Sequence, residues 1–97
     1  MNNSSLKARA HIFVSGKVQG VFFRHNTRQK AKDMGLTGWV KNLADGRVEA
    51  IFEGERGKVE EMLGWVKRGP ILAKIDNVEL LWLAYQNEFN DFEIKRD

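Results

Sequence analysis

At 97 residues with 42% hydrophobic side chains, the chain has material for one small domain and one core, not two. Cysteine is absent, which excludes disulfide frameworks, thiolate metal sites and thiol nucleophiles, and the two histidines, His11 and His25, lack metal-ligand spacing. A net charge of +3 favours anionic partners without choosing among phosphate esters, nucleic acid and acidic lipids, but the basic residues are dispersed among 13 acids and form no nucleic-acid tail.

Met1 to Ser5 is polar and is expected to be a mobile tail, leaving 6–97 as a single domain. The opening MNNSSLKAR lacks the apolar core of a signal peptide and no run reaches bilayer-spanning length, so the expectation is a soluble, cytoplasmic protein without a membrane partner. Ala8 to Val14 reads as a strand, with Ala10, Ile12 and Val14 alternating against Arg9, His11 and Phe13. A glycine-bearing loop, Ser15 to Gly20, follows. From Val21 to Gly35, Phe23, Thr27, Ala31 and Met34 fall at helical spacing, with Arg24, Arg28 and Lys32 forming a separate basic row. Gly35 marks the stop. Leu36 to Leu43 and Arg47 to Glu53 read as two strands joined through Asp45-Gly46, a strong hairpin signal. A second helix is predicted from about Glu55 to Arg68, its apolar face made by Val59, Met62, Leu63 and Val66, and Gly69-Pro70 ends it. Ile75 to Tyr85 alternates again, and Phe92 with Ile94 suggests a short last strand. The order βαββαβ plus a terminal β predicts an α+β, ferredoxin-like split βαβ sandwich: an antiparallel or mixed sheet with two helices on one face.

Right-handed crossovers make the first and second strands run in the same direction, so their C-terminal ends share one edge of the sheet. Arg24 and Asn42 therefore converge, with the third strand between their backbones and a gap of about 10 Å, twice the interstrand spacing. Gly16 and Gly20 allow a tight turn and close backbone approach to a ligand, and the loop feeds a helix N-terminus. The N–H groups of Gln19, Gly20, Val21, Phe22, Phe23 and Arg24 would form an anion nest, to which Arg24 adds a bidentate fork. The stretch is neither a Walker loop nor a dinucleotide fingerprint. Taken singly, each feature has a plainer reading: glycine as turn chemistry, arginine as a solvated helix residue, Asn42 as a turn cap rather than a holder of water. The three tryptophans, Trp39, Trp65 and Trp82, read as packing.

The blocks GKVQGVFFR and GLTGWVKNLADGRVEAIFEG, with the later GP, resemble the acylphosphatase family from Ala8 to Ile94, without departure inside either block. That resemblance implies hydrolysis of small-molecule acyl phosphates to a carboxylate and inorganic phosphate, with Arg24 in the place of the family's phosphate-binding arginine and Asn42 in that of its water-orienting asparagine. It further implies a monomer that uses no cofactor and no metal, and that inorganic phosphate inhibits as the product. A carboxylate leaves readily, so the lack of a catalytic histidine or carboxylate pair is no obstacle. Two rivals stand beside this reading. A noncatalytic anion-binding module shares the nest but lacks turnover. An RNA-binding ferredoxin-like domain should show aromatics on the third strand, where Glu49 and Glu53 stand instead, so a nucleic-acid partner is not expected.

Overall fold

A computed structural model describes residues 6–70 and 72–96, so the expected Met1–Ser5 tail lies outside the described residues. The elements in chain order are β1 (Lys7–Lys17), α1 (Phe23–Asp33), β2 (Thr37–Asn42), β3 (Val48–Glu55), α2 (Arg56–Arg68), β4 (Lys74–Leu83) and β5 (Phe92–Ile94). The strands form one sheet in the order β4-β1-β3-β2-β5. Pairing is antiparallel except between β2 and β5, which makes the sheet mixed.

Alternation decides which face is covered. Ala8, Ala10, Ile12 and Val14 of β1, Val48, Ala50 and Phe52 of β3, Val40 of β2 and Phe92 of β5 are all buried. They meet Phe23, Thr27 and Ala31 of α1 and Val59, Met62, Leu63 and Val66 of α2, the helical faces that periodicity picks out. Both helices therefore lie on one side of the sheet, α1 over β2 and β5 and α2 over β1, β3 and β4. The Phe52 and Phe92 rings stack with centroids 5.4 Å apart, which ties the short β5 into the core. Gly35, at φ 73°, closes α1: the Leu36 N–H donates to the Ala31 carbonyl at 2.9 Å, a Schellman ending. Gly69 ends α2 differently, at φ 81° and ψ 132°, its N–H shared between the Trp65 and Val66 carbonyls before Pro70. Among the described residues no helix is long and apolar enough to cross a membrane.

The helix-free face carries a polar latch. Glu53, fully buried, accepts N–H bonds from Gln86 (2.8 Å) and Glu88 (3.0 Å), and Arg9 Nη1 lies 3.1 Å from Glu53 Oε2 and 2.7 Å from Glu88 Oε1. This node holds the connection between β4 and β5 against the sheet and so delivers β5 to β2. Burial pushes the Glu53 carboxyl up, but the Gln86 and Glu88 N–H groups and the Arg9 guanidinium outweigh it and hold the group below the usual glutamate range. A depressed folded value stabilises the fold above the ordinary glutamate pKa, and that contribution is lost as pH falls through the folded value. Glu53→Gln is accordingly expected to cost about 3 kcal/mol at neutral pH and to flatten the acid limb of stability in that window. Urea melts of both proteins from neutral pH into acid check this; parallel pH curves would remove Glu53 as the titrating group.

Candidate active site

The loop between β1 and α1 is shorter than alternation suggests. Ser15, Gly16 and Lys17 belong to β1, which runs three residues past Val14, where its pairing with β3 ends, by pairing with β4 alone. Gly16 is thus not part of a ligand-facing turn. It sits at a register shift between β1 and β4 with φ 129°, and a Cβ there would collide with the Lys74 carbonyl and the Asp76 N–H, so glycine is required by strand packing. Gly20 is different. At φ 74° it bends the chain toward the helix, and a Cβ built on it would meet nothing within 4 Å, which leaves the backbone bare.

Helix α1 starts from Phe22, whose backbone is left-handed (φ 61°), with no side chain capping the start and no acidic residue in the first turn. The first turn bond runs from the Asn26 N–H to the Phe22 carbonyl at 2.9 Å, and among the described residues the loop and turn bonds include none donated by the N–H groups of residues 19–24. Unpartnered N–H groups at the positive end of a helix are a site for an anion.

A cleft of about 360 Å³ opens there. Of the residues expected at the site, Gly20, Phe22, Phe23, Arg24 and Asn42 line it, while Gln19 and Val21 are outside its lining. Val21 is buried in the core. The Gln19 carboxamide is engaged elsewhere: Nε2 donates to the Leu43 carbonyl at 2.8 Å and to the Arg47 carbonyl at 2.9 Å, fastening the loop to the hairpin that follows Asn42. That hairpin closes as its Asp45-Gly46 pair predicts, with the Gly46 N–H donating to Leu43 and the Arg47 N–H donating to Asp45 Oδ1.

Asn42 is the last residue of β2, opposite Val48, so its position is set by the sheet rather than by a loop. Its Oδ1 is buried and has no hydrogen-bond partner among the described residues. A buried acceptor left empty is costly unless a water or ligand fills it. Arg24, in the first turn of α1, forms no ion pair among the described residues. The remaining lining comes from Val18, His25, Ile94 and Arg96. Sequence reasoning missed Arg96, yet its place follows from register: β5 runs parallel to β2 with Ile94 opposite Val40, which brings Arg96 level with Asn42. With two guanidinium groups, a bare helix start and no carboxylate in its lining, the cleft selects for anions. Among the described residues no group of three His, Asp or Glu side chains gathers as a metal centre.

A ferredoxin-like sandwich whose two parallel strand ends frame an uncapped helix start, an arginine and an unpaired carboxamide is a small phosphoryl-handling domain. Residues 10–94 match the sequence model of the acylphosphatase family. An acylphosphatase of Pelotomaculum thermopropionicum is 50% identical over 88 residues, covering 91% of this chain and 96% of the relative. The structure of an acylphosphatase from Coxiella burnetii superposes with a TM-score of 0.86 at 42% identity, covering 92% of this chain and 93% of that one. That of an acylphosphatase from Bacillus subtilis gives 0.88 at 32% identity, covering 92% and 99%. The chain belongs to the acylphosphatase family, and its activity is the hydrolysis of carboxyl phosphates to a carboxylate and inorganic phosphate.

Proposed function

We propose that Arg24 and the N–H groups of residues 19–24 hold the phosphoryl group, that Asn42 orients the attacking water, and that the reaction proceeds without a metal, a cofactor or a covalent intermediate. The observation that carries this reading is the unpaired, buried Asn42 carboxamide oxygen on the same cleft as Arg24 and the uncapped start of α1.

The chemistry asks little more. Charge on the equatorial phosphoryl oxygens is met by the N–H groups, the helix end and the planar guanidinium fork. Because β2 and α1 are fixed to one core, the water held by Asn42 and the phosphoryl held by Arg24 approach without further ordering. The leaving group is a carboxylate whose conjugate acid has a pKa near about 4 to 5, so it departs without a general acid. The proton of the water passes to the phosphoryl oxygens of the substrate itself, and the products are a carboxylic acid anion and inorganic phosphate. Every group needed comes from one chain, which supports action as a monomer.

Benzoyl phosphate hydrolysis in the presence of a chelator tests this reading. Turnover is expected to be unchanged by the chelator, and inorganic phosphate is expected to inhibit competitively, since product and substrate occupy the same N–H groups. Turnover lost to chelator and restored by magnesium would overturn the metal-free mechanism, and purely noncompetitive inhibition would place the phosphate site elsewhere.

A further inference from the structure

Phe22 carries two costs at one position. Its backbone is left-handed, at φ 61° and ψ 22°, a conformation that glycine and asparagine accept and that is strained for a bulky aromatic residue. Its side chain is 72% exposed, the highest exposure among the large hydrophobic residues described, whereas the adjacent Phe23 is 2% exposed in the core. The backbone duty of the position, accepting the Asn26 N–H at the start of α1, needs only a carbonyl. A phenyl ring contributes nothing to it. Strain and exposed apolar surface at one residue point to a use for the ring, and Phe22 lines the cleft beside Gly20 and Arg24.

The phosphoryl group accounts for the polar part of that cleft. An acyl group bonded to it must extend from the start of α1 toward solvent, and of the apolar residues lining the cleft, Val18, Phe22, Phe23 and Ile94, Val18 and Phe23 are buried in the core while Phe22 is exposed. Resting on the reading of Arg24 and the loop N–H groups as the phosphoryl site, we infer that Phe22 is a specificity residue. Its ring is a platform for the acyl group and directs the enzyme toward carboxyl phosphates with aromatic or extended apolar acyl groups. The gain comes from apolar contact and offset or edge stacking, neither of which a two-carbon acyl group can supply.

Benzoyl phosphate and acetyl phosphate carry the same charge and differ in the ring, so their kcat/KM ratio reads the platform directly. Phe22→Gly and Phe22→Asn both keep the left-handed backbone and remove the ring. Each is expected to lower the benzoyl-to-acetyl ratio by about fivefold, a ratio in which any change to the shared phosphoryl site cancels, and to leave thermal stability equal or higher. Phe22→Trp is expected to keep the preference. A ratio unmoved in both variants overturns the inference, as does a phosphate inhibition constant that weakens in step with benzoyl phosphate turnover, which would make Phe22 a loop-shaping residue. Arg24→Ala run alongside separates the two levels: if it leaves phosphate inhibition intact, the phosphoryl site itself is misplaced, whatever the ratio does.

Discussion

Arg24→Ala is expected to lower kcat/KM for benzoyl phosphate by about 10³-fold or more, the scale on which a guanidinium acts at a transferring phosphoryl group, and to weaken inhibition by inorganic phosphate. The protein should remain folded. Arg24 forms no ion pair among the described residues and sits in a helical first turn that has no acidic residue, where a cation opposes the helix dipole. Removing it therefore stabilises the fold slightly, by about 0.3–1 kcal/mol. Activity and stability moving in opposite directions is the signature of a residue kept for its ligand. Arg24→Lys is expected to fail nearly as badly, because a point charge on a flexible stem cannot supply two parallel N–H bonds to adjacent phosphoryl oxygens. Steady-state kinetics with a thermal melt of each variant checks both halves. Near-normal turnover in Arg24→Lys would reduce Arg24 to a source of charge.

Periodicity made the core readable because each covered element packs on one partner layer. The apolar rows of α1 and α2 are the rows the structure buries, and Ala10, Ile12 and Val14 point to the same core. Legibility failed where a position depends on a partner remote in sequence. Gly16 looks like a loop glycine until β4 lies against it, for the bulge is written in the Lys74–Asp76 backbone and not in the residues beside Gly16. The Gln19 side chain, bound to carbonyls on either side of the hairpin, could not be told from its neighbours by spacing. Arg9 and Glu53 read as two outward charges on alternating strands. Their burial needs Gln86 and Glu88 folded over them, 33 and 35 residues from Glu53. Arg96 reaches the cleft only through the parallel pairing of β5 with β2, a register that three residues of strand cannot announce. The meeting of Arg24 and Asn42 on one cleft was legible for the opposite reason. Arg24 and Asn42 follow directly from the βαβ handedness and from the ends of regular elements.

Asn42→Ala is expected to lower kcat by about 10²-fold or more while leaving the phosphate inhibition constant nearly unchanged. Asn42 lines the cleft and its carboxamide oxygen is buried without a partner among the described residues, so the substitution breaks no hydrogen bond seen among them. The backbone of Asn42 pairs with Val48 in the β2–β3 ladder and is kept by alanine, so the hairpin stays closed. In the proposed mechanism what is lost is the group that fixes a water in line with the scissile bond, a loss felt only on the way to the transition state. In that mechanism phosphate is bound by Arg24 and the loop N–H groups and does not depend on it. Asn42→Asp is not expected to rescue turnover, since a carboxylate on this cleft would repel the phosphoryl oxygens across a site built for anions, whatever it offered the water as a base. Two results decide against the assignment. Near-normal kcat in a folded Asn42→Ala would leave Asn42 as the residue that ends β2 before the turn, and a loss of phosphate inhibition as severe as in Arg24→Ala would make it an anion ligand instead of the holder of the water.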